Sequence, residues 1–409
     1  VVEGLIGKTP EVNISIMSSF DFDESIDRRG TSSYKWDYDS RITGRTGLLA
    51  FWVADMDFRA APAILRRIGK RLEHGILGYT GRPKSLDEAL IAWLERRQGW
   101  RVGMGEILEM PGIVQSIHIL VRELCAPEDG VVIQEPVYYP FRKAVEGSAR
   151  RLLVNELSRG KDGRWSMDLD SLAAGMAEGG VKLLLLCSPH NPVARVWERE
   201  ELLRLADICR EAGVIVLSDE IHADLVFQRG RFVPWLSLSK ERLPRSITLV
   251  SPTKAFNIPG LNVAFAIFSD QELRGQVRSI LETYGISSGV SAPLNYAAAE
   301  AAWMEGEDWL DSMLAYVREN DILVRSALVD PLGPDSIAVL EGTYLEWICV
   351  AGSLMEEETV WNNLLDAGVW LSRGSQFGAA GAGFLRMNIA CPRTRLETGL
   401  EKMHSALRT

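Results

Sequence analysis

The sequence contains no apolar run approaching the ~18–20 residues that a membrane-crossing helix needs. Its longest, Val181–Cys187 (VKLLLLC) and Gly213–Leu217 (GVIVL), are strand-sized. Basic charge is not in excess: the formal net charge is −10, with acidic and basic residues interleaved. That argues against nucleic-acid binding, which requires a basic face. Cysteine is scarce and scattered (Cys125, Cys187, Cys209, Cys349, Cys391), with no C-x-x-C pair. Most lie in apolar runs and read as reduced core thiols of a cytoplasmic protein. No internal repeat or low-complexity segment is present. Val1–Met17 has an early Glu3 and no long apolar core, so it reads as a partly ordered leader rather than a secretory signal.

Several familiar motifs fail on context. Gly285–Gly289 (GISSG) fits G-x-S-x-G, but a helix-like stretch precedes it where a hydrolase elbow needs a strand. Gly378–Gly383 (GAAGAG) lacks the G-x-G-x-x-G spacing and the preceding strand of a dinucleotide site. His74, His118 and His404 are far apart and read as packing or surface residues rather than metal ligands. Trp303, Trp309 and Trp361 fall on helical faces and read as core.

What is present is an alternation of strands and helices. Gly130–Pro136, Lys182–Pro192, Val214–His222, Ser246–Lys254 and Asn262–Ser269 each begin with a strand-like apolar run. Glu198–Gly213 places Leu202, Leu205, Ala206 and Cys209 at helical spacing and closes on glycine. Continuous apolar strands separated by helices predict a mostly parallel α/β sheet covered on both faces. Near residue 290 the pattern changes to one long helical stretch, shorter strands and a last helix. We read residues 51–289 as a large domain and 290–409 as a smaller α+β domain, with 1–50 packing against the smaller one.

Polar residues follow the central strands, where ligands bind in open α/β sheets. They deliver Asn191 in SPHNP, Asp219 in SDEIH, Lys254 in SPTK and Tyr138 in EPVYYPF. Singly, each has an ordinary explanation as a turn, a cap or a solvated charge. Jointly they meet the needs of one ligand. A lysine amine reacts with an aldehyde, and an aspartate keeps a ring nitrogen protonated. An aromatic ring stacks on a flat cofactor, and a helix start such as Gly112-Ile113-Val114 binds phosphate. Those requirements describe pyridoxal 5′-phosphate.

The chain resembles fold-type I pyridoxal-phosphate enzymes of the class I/II aminotransferase superfamily, and within them the cystathionine β-lyase group of the MalY/PatB type. The resemblance rests on Phe22–Asp37, Phe51–Phe58 (FWVADMDF), His74–Thr80, PVYYPF, Ser188–Trp197, Ser218–Phe227 (SDEIHADLVF), Ser251–Leu261 and Gly381–Arg393, in the family's order. It implies an aspartate aminotransferase-like fold with a seven-stranded sheet. It also implies carbon–sulfur β-lysis of a cysteine S-conjugate or cystathionine-like substrate, with transamination or a non-catalytic regulatory role as alternatives. Lys254 is then the Schiff-base lysine and general base, and Asp219 the partner of the pyridine nitrogen. Asn191 binds the phenolic oxygen, Tyr138 stacks on the ring, and His222 adjoins the cofactor. Gly112, Ile113, Val114, Ser251 and Thr253 hold the phosphate. Tyr79 reaches it from the neighbouring subunit of a homodimer. Arg386 takes the substrate α-carboxylate, with Asn191 and Ala54 beside it.

This chain departs from the family pattern in places. Ala194 replaces the usual glycine after PHNPV, where an added methyl is expected to shift the turn or narrow the pocket. Cys349 replaces an acidic residue in EGTYLEWIC, a segment expected to border the substrate pocket. His222 stands where many aminotransferases have tyrosine, and Asn262 where many have a phosphate-binding arginine. These changes suggest a specialised substrate.

Overall fold

The computed structural model describes residues 20–286, 290–351 and 356–408. The reading of Val1–Met17 as a leader, and part of the GISSG stretch, lie outside them. Gly285 itself follows a helix, Gln271–Thr283.

The large sheet has seven strands: β1 Ile107–Met110, β2 Gly130–Ile133, β3 Arg151–Val154, β4 Val181–Cys187, β5 Ile215–Asp219, β6 Ser246–Val250 and β7 Ala264–Phe268. Their order is β1-β7-β6-β5-β4-β2-β3, and only β7 runs against the rest. Successive residues of a strand face opposite sides. Thus Val131, Leu183, Leu185, Leu217 and Leu249 enter one core, while Val132, Leu184, Leu186 and Val216 enter another. Burial on both faces explains why these strands read as continuous apolar runs.

Helices return the chain between parallel strands. In α1 (Ile113–Leu124), Ile113, Ile117, Leu120, Val121 and Leu124 are buried. Val114 and His118 are half-buried. α2 (Arg199–Glu211) buries Leu202, Leu205, Ala206 and Cys209 as the spacing predicts. The Glu201 carboxylate accepts the Glu198 N–H at 2.7 Å and so caps the helix start.

The long helical stretch after residue 290 is two helices, α3 Pro293–Glu305 and α4 Glu307–Leu332. The break is at Gly306. A Cβ there would meet the Phe256 ring and the Ala302 carbonyl oxygen at 2.4 and 2.5 Å, so close packing selects glycine. A small antiparallel sheet follows, ordered β8-β10-β9 (β8 Leu345–Cys349, β9 Ser372–Arg373, β10 Phe384–Asn388). Arg386, on the middle strand, lies opposite Trp347 and Ser372. Residues between 20 and 50 contact the C-terminal part of the chain: Leu49–Ala50 pairs in parallel with Val369–Trp370 as a separate two-stranded sheet, and Phe22 packs edge-on to Trp309 of α4.

Candidate active site

Register brings the strand ends together. Cys187, Asp219 and Leu249 are neighbours across β4, β5 and β6, so the segments after these strands leave the sheet side by side. A cleft of about 200 Å³ opens there. Its walls carry Lys254, Asp219, Asn191, Tyr138, His222 and Ala54. At one end lie Gly112, Ile113, Val114, Ser251 and Thr253. Of the expected site residues, Arg386 reaches this cleft through Asn191, and Tyr79 is absent from it. The Tyr79 side chain is fully exposed on this chain's surface.

Lys254 is held by backbone. Its Nζ donates to the Ala54 carbonyl oxygen at 2.6 Å. Burial pushes its ammonium down to about 8, with Arg386 adding to the effect and Asp55 and Asp219 opposing it. Asp219 has the opposite problem. Burial raises its carboxyl to about 7, although the Ile221 N–H, 3.1 Å from Oδ1, and Lys254 favour the anion. An aspartate placed there becomes a dependable anion only beside a further positive charge.

Arg386 is buried, and burial lowers its guanidinium to about 10. It donates to Asn191 Oδ1 at 3.0 Å and to the Trp52 carbonyl oxygen at 2.7 Å, and lies over the Phe377 ring at 4.8 Å. Because Asn191 spends its oxygen on Arg386, its amide N–H₂ remains the donor for another ligand. Tyr138 donates its backbone N–H to the Asn191 carbonyl at 3.0 Å, which ties its backbone to the same loop.

A ligand with an anionic group and a flat polar ring fits these walls. α1 begins at Gly112, and the first N–H groups of a helix have no partner within it. Gly112 has φ +141°, and a Cβ there would strike Gln115 Oε1 at 2.4 Å; the glycine keeps the helix start open. Ser251 Oγ and Thr253 Oγ1 lie 2.7 Å apart at the same end. Two buried nitrogens, His222 Nδ1 and Arg386 Nε, have no hydrogen-bond partner among the described residues. These features match the phosphate, ring and substrate-carboxylate requirements of pyridoxal 5′-phosphate.

The departures resolve differently. Ala194 has φ +59°, a left-handed conformation that disfavours a side chain. It is buried and does not line the cleft. The Ala194 carbonyl accepts the N–H groups of Glu341 and Gly342 at 3.2 and 3.1 Å, which ties the turn to the segment ahead of β8. The expected narrowing of the pocket is therefore not seen. Cys349 does not border the cleft either: it pairs with Phe384 at the far end of β8, about 16 Å along the chain from Tyr344 at ~3.3 Å per residue. Asn262 does line the cleft, at the Gly112 end.

Tyr344 was not foreseen. It is buried, with its hydroxyl 3.0 Å from the same Ala54 oxygen that holds Lys254. Its only sequence signal is its place after Gly342-Thr343, just ahead of β8. Gln115, Cys187 and Ile221 also line the cleft without having been singled out for it.

The aminotransferase class I and II family matches residues 53–403. Cystathionine beta-lyase PatB of Bacillus subtilis (strain 168) is 37% identical over 94% of this chain and 99% of its own length. A PLP-bound putative aminotransferase from Clostridium difficile 630 superposes with a TM-score of 0.90 at 35% identity, covering 95% of this chain and 100% of its own. Cystalysin from Treponema denticola, whose crystal structure contains a pyridoxal 5′-phosphate cofactor, gives 0.89 at 31%, covering 95% and 99%. With matches of this extent, the chain belongs to the class I and II aminotransferase family.

Proposed function

We propose that the protein is a pyridoxal-phosphate-dependent carbon–sulfur β-lyase that cleaves an L-cysteine S-conjugate or cystathionine-like substrate to a thiol, pyruvate and ammonia. The observation that carries this is the convergence of Lys254, Asp219, Asn191 and Tyr138 on one cleft, with Arg386 bonded to Asn191. The relative named as a cystathionine β-lyase supports the lyase outcome. When bound, pyridoxal 5′-phosphate supplies an aldehyde that takes the substrate amine and a conjugated ring that accepts the electron pair left at Cα.

The chain's own residues do the rest. The helix start at Gly112-Ile113-Val114, with Ser251 and Thr253, takes the phosphate. The Asp219 carboxylate, in the wall of the cleft, would hold the proton on the ring nitrogen. Asn191 would offer its amide N–H₂ to the phenolic oxygen, and Tyr138 would supply the aromatic face for the ring. Arg386 orients the substrate by a two-pronged bond to its α-carboxylate. Lys254, whose burial favours the neutral amine, removes the Cα proton. A sulfur group on Cβ would then leave as thiolate with the C–S electrons while the pair freed at Cα closes a Cα–Cβ double bond, and addition of one water would give pyruvate and ammonia.

Tyr79 stands clear of its own chain's cleft, in an exposed apolar stretch that includes Ile76 and Leu77. We read this stretch as the contact surface of a homodimer in which Tyr79 serves the partner's phosphate site. Product analysis tests the whole reading. Cystathionine, cysteine and larger S-conjugates are expected to yield pyruvate and free thiol. A 2-oxo acid that retains its sulfur and forms only with an amino acceptor would assign the chain to transamination instead.

A further inference from the structure

Segment 52–56, which meets the cleft at Ala54, has every carbonyl oxygen taken by a side chain. Trp52 O accepts from Arg386 and Ser372 at 2.7 and 2.9 Å. Val53 O accepts from Asn388 at 2.7 Å. Ala54 O accepts from Lys254 and Tyr344 at 2.6 and 3.0 Å. Asp55 O accepts from Asn388 and Lys35 at 2.6 and 3.0 Å. Met56 O accepts from Asn257 and Arg28 at 3.0 and 3.1 Å. The two groups assigned to the substrate, Arg386 and Lys254, thus hang from carbonyls two residues apart on a fixed strip of backbone.

At Ala54 two donors compete for one oxygen. A carbonyl bound by a lysine ammonium alone holds that charge strongly, since hydrogen bonds to charged groups exceed neutral ones. A second donor on the same oxygen draws off part of its electron density. Tyr344 is suited to be that permanent second donor. It is buried, burial and the nearby Asp55 charge push its phenol well above the ordinary value, and its hydroxyl has no other hydrogen-bond partner among the described residues.

We propose that Tyr344 is a positioning residue for Lys254: by sharing the Ala54 carbonyl, its hydroxyl weakens the grip of that oxygen on the lysine ammonium and keeps the side chain available as a free amine. This rests on the reading of Lys254 as the cofactor-bearing base. The other charged or titratable groups facing Lys254 are Asp55, Asp219, Arg386 and His222, and a substitution at Tyr344 leaves all four in place.

The test uses the full-length chain freed of cofactor. Lys254 is acetylated with limiting acetic anhydride across a pH series, and its modification is quantified by mass spectrometry against a reference amine. In Tyr344→Phe the midpoint for labelling Lys254 is expected to rise by about 0.5–1 pH unit, which makes labelling about three- to tenfold slower below the midpoint. Tyr344→Leu removes the same donor with a different shape and is expected to shift the midpoint in the same direction. Both variants are checked for uptake of pyridoxal 5′-phosphate by its visible absorption. An unchanged or lowered midpoint in variants that still take up cofactor overturns the proposal, as does a rise in Leu without one in Phe, which would implicate ring packing. A separate arm isolates the underlying reading: added cofactor protects Lys254 of the unsubstituted chain from acetylation if Lys254 carries it, and fails to protect it otherwise.

Discussion

Asp57 anchors the strip of backbone on which Lys254 and Arg386 hang, and its removal has a calculable cost. Its buried carboxylate lies 2.8 Å from Arg28, 2.9 Å from Lys35 and 3.0 Å from Arg395, and accepts the Trp36 indole N–H at 2.9 Å. Burial opposes the anion, but Lys35 and Arg395 outweigh it and hold the carboxyl below its ordinary value of 3.8. Asp57→Asn keeps the shape and removes the charge. Breaking a buried ion pair by losing one partner costs about 3–5 kcal/mol. Asp55 still neutralises part of the cluster, at 2.7 Å from Arg28 and 3.6 Å from Lys35, so the expected loss is near the lower end, about 3 kcal/mol. Urea unfolding of the variant, of Lys35→Met and of the double variant measures it. The double variant is expected to lose less than the sum of the singles, by about 1–3 kcal/mol. The sign with pH follows from the depressed carboxyl. Its contribution is complete above the unfolded value and disappears as pH falls through the folded one. The gap between unsubstituted chain and variant therefore closes below about pH 4. A loss under about 1 kcal/mol, or a gap that persists unchanged into acid, would refute the reasoning.

Arg386→Lys keeps the charge but loses the planar fork, so KM for the amino-acid substrate is expected to rise about 10- to 100-fold, matching ~1.5–3 kcal/mol for hydrogen bonds to a charged group. Steady-state kinetics check it; an unchanged KM would remove Arg386 from the carboxylate site. Ala194→Gly relieves a left-handed alanine worth about 1–2 kcal/mol, but it frees the unfolded chain by about 0.4–1 kcal/mol and removes a buried methyl worth about 0.8 kcal/mol. The terms nearly cancel, so the urea midpoint and cofactor affinity are expected to stay almost unchanged. A large change in either would show that the methyl does specific work in the turn after Asn191.

The strand-end residues were legible because α/β sheets put chemistry in one place. Apolar runs locate β4, β5 and β6, and whatever follows them meets at the carboxyl edge. Asn191, Asp219 and Lys254 therefore converge without any knowledge of tertiary contacts. Helix α2 was legible from its spacing, and the buried face of α1 likewise follows its own apolar residues, Ile113, Ile117, Leu120, Val121 and Leu124. The carbonyl strip at 52–56 was invisible for a different reason. Its function lies in backbone oxygens, which every residue carries, and its partners Lys254, Tyr344, Arg386 and Asn388 arrive from distant parts of the chain. Tyr344 was missed with it. Cys349 misled because nearness in sequence to GTYL does not survive the length of an extended strand. Ala194 was rightly singled out as a backbone anomaly, but its consequence depended on carbonyl contacts with Glu341 and Gly342 that no local reading supplies.

The central claim is that the amine of Lys254 is the covalent attachment point for the cofactor. Borohydride reduction of the cofactor-loaded protein, followed by proteolysis and mass spectrometry, addresses it directly. A phosphopyridoxyl group is expected on the peptide containing Lys254, lost in Lys254→Ala. A label on a different lysine, or none on a protein that has taken up the cofactor, would contradict it.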